Sequence, residues 1–206
     1  MVSKHMRLLF AAAAAAVCVA PGVGLAEPAC DVALAALTGI YRGDRGPAAL
    51  DGKIDPVQVR SYLREGGECL PRAYPRHPTE SACGWLDPSG QIGPQVRAPA
   101  KQTIDALMKA PVRDASTACS MLKRNTRTVL GWRGRNGESG QRRKSGLYDH
   151  TSIGISLPVV NAAQGEAIAW AQSQSGPLAG GGGFVLLRID AKGRWRLSGR
   201  LPVFVS

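Results

Sequence analysis

Histidine is scarce in this chain, with three in 206 residues, at His5, His77 and His150. Imidazole is the usual metal ligand and neutral-pH base, so zinc hydrolysis and histidine-driven nucleophiles have little to draw on. The cysteines do not repair this. No pair is separated by the two to four residues of a zinc site, and only His77 lies near them. Long apolar runs are missing too. Beyond residue 26 no stretch approaches the ~20 residues of a membrane-spanning helix. No internal repeat is visible, which excludes solenoid and propeller architectures.

What is present starts at the N-terminus. Lys4 and Arg7 precede an apolar, alanine-rich run from Leu8 to Ala20, and Pro21-Gly22 then breaks any helix. Small residues Gly24 and Ala26 stand where a signal peptidase reads its substrate. This is the pattern of a secretory signal peptide over residues 1–26, and it predicts a periplasmic or secreted protein. A lipoprotein signal is not expected, because Glu27-Pro28-Ala29 before Cys30 is a poor acylation motif. Cys18 leaves with the leader. Cys30, Cys69, Cys83 and Cys119 remain, and an even number in an exported chain predicts two disulfides. Cys69–Cys83 with Cys30–Cys119 is the favoured pairing, since it closes a proline-rich loop and ties the first helix to the last. Cys30–Cys69 with Cys83–Cys119 is its rival.

Residues 27–206 are expected to form one disulfide-stapled domain. Its first part, to residue 145, reads as helical and loop-rich. Residues 30–41 place Ala33, Ala36, Leu37, Ile40 and Tyr41 on one helical face. Asp55 is a candidate N-cap, Pro56 sits at the first helical position, and Gly66-Gly67 ends that helix, which carries Val59, Tyr62 and Leu63 on one stripe. Six prolines between residues 69 and 99 forbid a regular element there. A helix over 100–110 follows, with Ile104, Leu107 and Met108 inward. Another begins after Asp114 as N-cap and carries Ala118, Cys119 and Leu122. The second part, 146–206, alternates apolar and polar residues. It predicts strands at 151–157, 166–172, 184–189 and 194–198, joined as a four-stranded antiparallel meander. With one face covered by the helices, the fold class is α+β. Ile153, Ile155, Leu157, Ile168, Trp170, Val185, Leu187, Trp195 and Leu197 should share that buried face.

The run Ser156-x-Pro158, a strand, Gly176-Pro177-Leu178-Ala179-Gly180-Gly181-Gly182-Gly183, an apolar strand and Gly193-Arg194-Trp195 resembles a C-terminal module of small exported bacterial proteins and lipoproteins of unknown function. The resemblance covers about the last 55 residues and none of the helical part. It implies export and a β meander, and it implies no activity. Where relatives carry cysteines flanking the Gly-Pro-Leu turn, this chain has Ser175 and Ala179.

Catalytic motifs fail one by one. Gly154-Ile155-Ser156-Leu157-Pro158 lacks the second glycine of a nucleophile elbow and leads into a strand, so Ser156 reads as a solvent-facing strand residue. Asp149 and His150 are adjacent on extended chain and point apart. Cys83, in Ser81-Ala82-Cys83-Gly84-Trp85, belongs to a disulfide before it belongs to a thiol protease. Asp51-Gly52-Lys53-Ile54-Asp55 resembles the middle of a calcium loop, but the flanking ligand positions hold Pro47, Ala49 and Gln58. The glycines at 180–183 precede a strand, not a helix, so they read as a hairpin loop and not as a phosphate cradle. No catalytic residue, metal or cofactor is expected.

The strongest functional candidate is the basic segment. Lys123, Arg124, Arg127, Arg133, Arg135, Arg142, Arg143 and Lys144 stand against Glu138 alone, in a chain of formal net charge +11. Of these, Arg133, Arg135, Arg142, Arg143 and Lys144 lie in a glycine-rich loop suited to anionic groups. Export makes an anionic envelope component or an acidic protein the expected partner, and not nucleic acid. The expectation is an exported non-enzymatic binding protein of the bacterial envelope, in one version a periplasmic inhibitor or immunity-type protein. The alternative is a cell-envelope hydrolase whose active site carries no recognised motif.

Overall fold

The computed structural model describes residues 26–41, 48–75, 82–89, 91, 96–122, 151–176 and 178–205. Helix α1 (Ala26–Ile40) buries Ala29, Ala33, Ala36 and Leu37, with Ala36 and Leu37 three and four residues after Ala33 on one face. It begins four residues before the predicted start. Small side chains let it approach the sheet closely: a Cβ on Gly39 would stand 2.6 Å from Leu197 Cβ. Strand β1 (Ala48–Ala49) follows, then α2 (Pro56–Glu65). Asp55 accepts from the Val57 N–H at 2.9 Å, and the Gly66 N–H closes the last turn onto Tyr62 O at 2.8 Å. Helix α3 is Lys101–Lys109 and α4 is Ala115–Ala118. Asp114 caps α4 through the Ser116 N–H and also accepts from the Ile54 N–H at 3.2 Å.

The α+β class is as expected. The C-terminal strands are β2 (Thr151–Ile155), β3 (Val159–Asn161), β4 (Glu166–Gly176), β5 (Ala179–Ile189) and β6 (Trp195–Val205). The six strands form one mixed sheet of order β1-β2-β4-β5-β6, antiparallel except for the β1–β2 pair. Strand β3 lies beyond β2 along the same side of β4. The expected four-stranded antiparallel meander is therefore present as β2-β4-β5-β6, and the sheet adds β1 and β3 to it. The predicted 151–157 strand breaks before Pro158, which has no N–H to donate. At the break the Ser156 N–H donates to Trp170 O, and Ser156 Oγ accepts from the Trp170 N–H, both at 2.9 Å. Ser156 is therefore buried, not solvent-facing.

Both faces of the sheet are covered, which overturns the single buried face. Ile153, Ile155, Val185 and Leu187 pack with Ala167, Ala169 and Ala171 beneath α1 and α4. Ile168 and Trp170 point the other way, to α2, α3 and the proline-rich segment, with Phe184, Leu186 and Leu201. Alanines on β4 match the alanines of α1, while the bulky side chains fill the wider gap opposite. Trp195 is half-buried at the margin of the first core, so its truncation costs less than a fully buried tryptophan would. Met108 is 40% exposed, and Thr103 takes the inward position instead. The disulfides are Cys30–Cys119 and Cys69–Cys83. The first sits in the core between α1 and the chain after α4. The second closes the turn that carries Trp85 and Leu86. Trp85 is 1% exposed and donates its indole N–H to Leu70 O at 2.7 Å. Leu86 exchanges two backbone hydrogen bonds with Arg200, so it covers one point on the outer edge of β6.

Candidate functional site

The glycine run predicted as a hairpin loop lies inside β5. Packing explains it. A Cβ on Gly182 would come within 2.8 Å of Trp170 Cζ2 and 2.6 Å of Phe204 Cε1. These belong to an aromatic stack, in which Tyr62 lies 5.0 Å from Trp170 and 5.6 Å from Phe204. A Cβ on Gly183 would strike Leu201 O at 2.3 Å, where β6 bulges against β5. The glycines are required by one neighbour and leave space for another. On the α1 face they present bare backbone at the point where α1 ends.

A cleft of about 320 Å³ opens there. Gly181, Gly182 and Gly183 form its floor. Ile40 and Tyr41 at the end of α1, Leu86, and Ala171 and Ser173 of β4 stand around it. Arg200 is the one charged side chain among the described lining residues. Its Nη2 donates to Ile40 O at 3.3 Å, toward the negative C-terminal end of α1. The lining is mostly apolar, with Arg200, Tyr41, Gln172 and Ser173 as its polar residues. Such a site can hold a small hydrophobic molecule and favours an acidic end over a basic one.

A second polar cluster lies on the opposite face of the sheet. Glu166 is 1% exposed, and its register partner across β4–β5 is Arg188. Arg188 donates to Glu166 Oε1 through Nε and Nη2, each at 3.0 Å. Glu166 Oε2 accepts from the Ala100 N–H at 2.7 Å and from the Thr103 hydroxyl at 3.1 Å. Arg188 further donates to Arg97 O, Ala98 O and Ser198 Oγ. Glu166 thus supplies, from a distant strand, the N-cap that Ala100 cannot give α3. Burial works against its ionisation. The Ala100 N–H, then Arg188 and Thr103, outweigh burial and hold the carboxyl below the usual glutamate range. With both oxygens occupied, this carboxylate is a structural anchor, and the cleft is the better candidate site.

The sequence-predicted anion-binding residues Arg133, Arg135, Arg142, Arg143 and Lys144 lie outside the described residues, as do His77, Asp149 and His150. Cys30, Cys69, Cys83 and Cys119 are all bridged. Asp55 serves as a helix cap, and Asp51 accepts from the Ser152 hydroxyl at 2.6 Å. Among the described residues, no three His, Cys, Asp or Glu side chains gather as a metal site. Likewise, no helix there is long and apolar enough to cross a membrane. Sequence reasoning missed Tyr41, Ser173 and Arg200. The available signal was the glycine run itself, since glycine inside a strand marks a close approach. The chain matches no protein-family model, no curated protein and no solved structure.

Proposed function

We propose that this chain is an exported, non-enzymatic binding protein of the bacterial envelope, and that its ligand occupies the glycine-floored cleft. One observation carries the reading: about 320 Å³ of mostly apolar space at the end of α1, with Arg200 as its charged lining residue. That volume lies at the small end of the range in which proteins hold small molecules, roughly 300–1,000 Å³. The ligand is a small hydrophobic molecule with an acidic end. The two disulfides are what an oxidising compartment permits, and they support export. The basic segment around Arg133–Lys144 adds long-range attraction toward anionic envelope components, which falls as salt rises.

The test uses two fluorescent probes, the anionic anilinonaphthalene sulfonate and the neutral N-phenylnaphthylamine. Both should bind the folded protein saturably at one site. Ser173→Phe fills the cleft from β4 and should abolish binding of both. Arg200→Met should weaken the anionic probe several-fold more than the neutral one. Near-UV circular dichroism confirms that each variant is folded, because loosened proteins also bind such dyes. Unchanged binding by folded Ser173→Phe would overturn the reading.

A further inference from the structure

The two disulfides occupy opposite environments. Cys30 and Cys119 are 6% and 1% exposed, inside the core formed by α1, α4 and β2. Cys69 and Cys83 are only half-buried, Cys69 at the margin of the second core, so both are more accessible than the inner pair. A thiolate must reach a sulfur along the S–S axis to displace it, so access separates the two bridges before any difference in intrinsic stability.

The surroundings of the outer bridge are also tied by contacts that do not involve its sulfurs. Trp85 N–H donates to Arg72 O at 3.0 Å, and Tyr74 N–H donates to Trp85 O at 3.2 Å. The Trp85 indole is buried and bonded to Leu70 O. Leu86 is paired with Arg200 through both of its backbone groups, at 2.7 and 3.0 Å. These contacts hold the chain just after Cys83 to the chain just after Cys69 and to β6. The inner bridge is different. It joins segments 89 residues apart, and both of its cysteines are buried within the first core.

We propose that Cys69–Cys83 is a thiol–disulfide exchange site, reduced and re-formed in the folded protein, whereas Cys30–Cys119 is a permanent staple. The substrate class is a dithiol. One of its thiolates attacks a sulfur of the bridge, giving a mixed disulfide and a free cysteine thiolate, which takes up a proton. The second thiol of the reagent then displaces the other cysteine. The protein gains two electrons and two protons, and the dithiol leaves as its disulfide. Oxidation by a disulfide reagent reverses each step.

The experiment treats the oxidised full chain with dithiothreitol under native conditions. Free thiols are trapped with iodoacetamide at intervals, and the tagged cysteines are mapped by mass spectrometry. Tags should accumulate on Cys69 and Cys83 at least tenfold faster than on Cys30 and Cys119. Near-UV circular dichroism should be retained while they do. A parallel arm with glutathione should trap a glutathionylated intermediate at Cys69 or Cys83. Tagging of all four cysteines at one rate, or tagging only in step with loss of the near-UV signal, overturns the proposal. A Cys30→Ala/Cys119→Ala variant, if it folds, should keep the exchange rate at the outer bridge. A Cys69→Ser/Cys83→Ser variant should remain folded and take no tag, and failure of that variant to fold would also count against a dispensable bridge.

Discussion

Removing the Glu166 carboxylate should be among the most damaging single changes in the described chain. Glu166→Ala leaves Arg188, whose side chain is 18% exposed, with no carboxylate partner. It also strips the Ala100 N–H of its acceptor at the start of α3. Breaking one side of a buried ion pair costs about 3–5 kcal/mol. For a domain of this size each kcal/mol lowers the melting temperature by about 2–4 °C, so the expected drop is roughly 6–20 °C. Thermal melts by circular dichroism, with disulfides intact, measure it. The double variant Glu166→Leu/Arg188→Leu should be less damaging than Glu166→Ala, because the one cation left without its partner, Arg97 at 3.3 Å from Glu166, is 76% exposed and solvated. The sign of the pH dependence follows from the lowered carboxyl. Ionised Glu166 stabilises the fold above the ordinary glutamate pKa of about 4.3, and that contribution disappears as pH falls through the lower folded value. The gap between wild type and Glu166→Ala should therefore be full at pH 7 and narrow in acid. A cost below about 1 kcal/mol at pH 7 would refute the buried-pair reasoning.

Loop closure predicts that opening Cys30–Cys119, with its 89-residue separation, costs about 4–5 kcal/mol. Opening Cys69–Cys83, separated by 14, should cost about 3 kcal/mol, and urea titration of the two double-alanine variants compares them. Ser156→Ala orphans the buried Trp170 N–H and should destabilise by about 1–3 kcal/mol in the same titration, whereas a surface serine would give almost nothing. Asp190 lies in the β5–β6 turn. Backbone hydrogen bonds from Arg194 and Lys192, helped by the Arg196 and Arg194 guanidiniums, pull its carboxyl down to about 2. Its support for the turn should be complete above the usual aspartate range and fade as pH falls toward about 2. Carboxyl chemical shifts followed by NMR titration give that value directly, and an ordinary aspartate midpoint would contradict the turn geometry.

Signals that act within a few residues were legible. Asp55-Pro56 and Asp114 begin helices because an aspartate oxygen reaches an N–H two residues on. Asp190 and Gly193 make a turn for a similar reason, Gly193 supplying a φ of 72°. The apolar periodicities placed α1, α2 and the cores of β2, β4 and β5, and the even cysteine count anticipated two bridges. Strand ends were less visible. Strand β6 runs on to Val205, past Pro202, because the chain bulges there instead of stopping.

Contacts between distant segments were decided by packing alone. In β4, Ala167, Ile168, Ala169, Trp170 and Ala171 are apolar at both parities, so a period of two cannot say whether one face or two will be covered. The answer lies in α1 on one side and α2 with α3 on the other. The role of Glu166 depends on Ala100, 66 residues away, and no local pattern records that pairing. Glycines 180–183 suit a loop or a strand equally well by composition. They belong to a strand because β4 and β6 pair with them, Gly182 and Gly183 having no room for a Cβ beside Trp170, Phe204 and Leu201, and the cleft lies where α1 ends near these glycines. The sequence by itself determined caps, turns, periodicity and cysteine parity, since each is a short-range property of the chain. The tertiary structure decided which faces are buried, which carboxylate caps which helix and where a cavity opens, since each needs side chains from segments that meet only on folding.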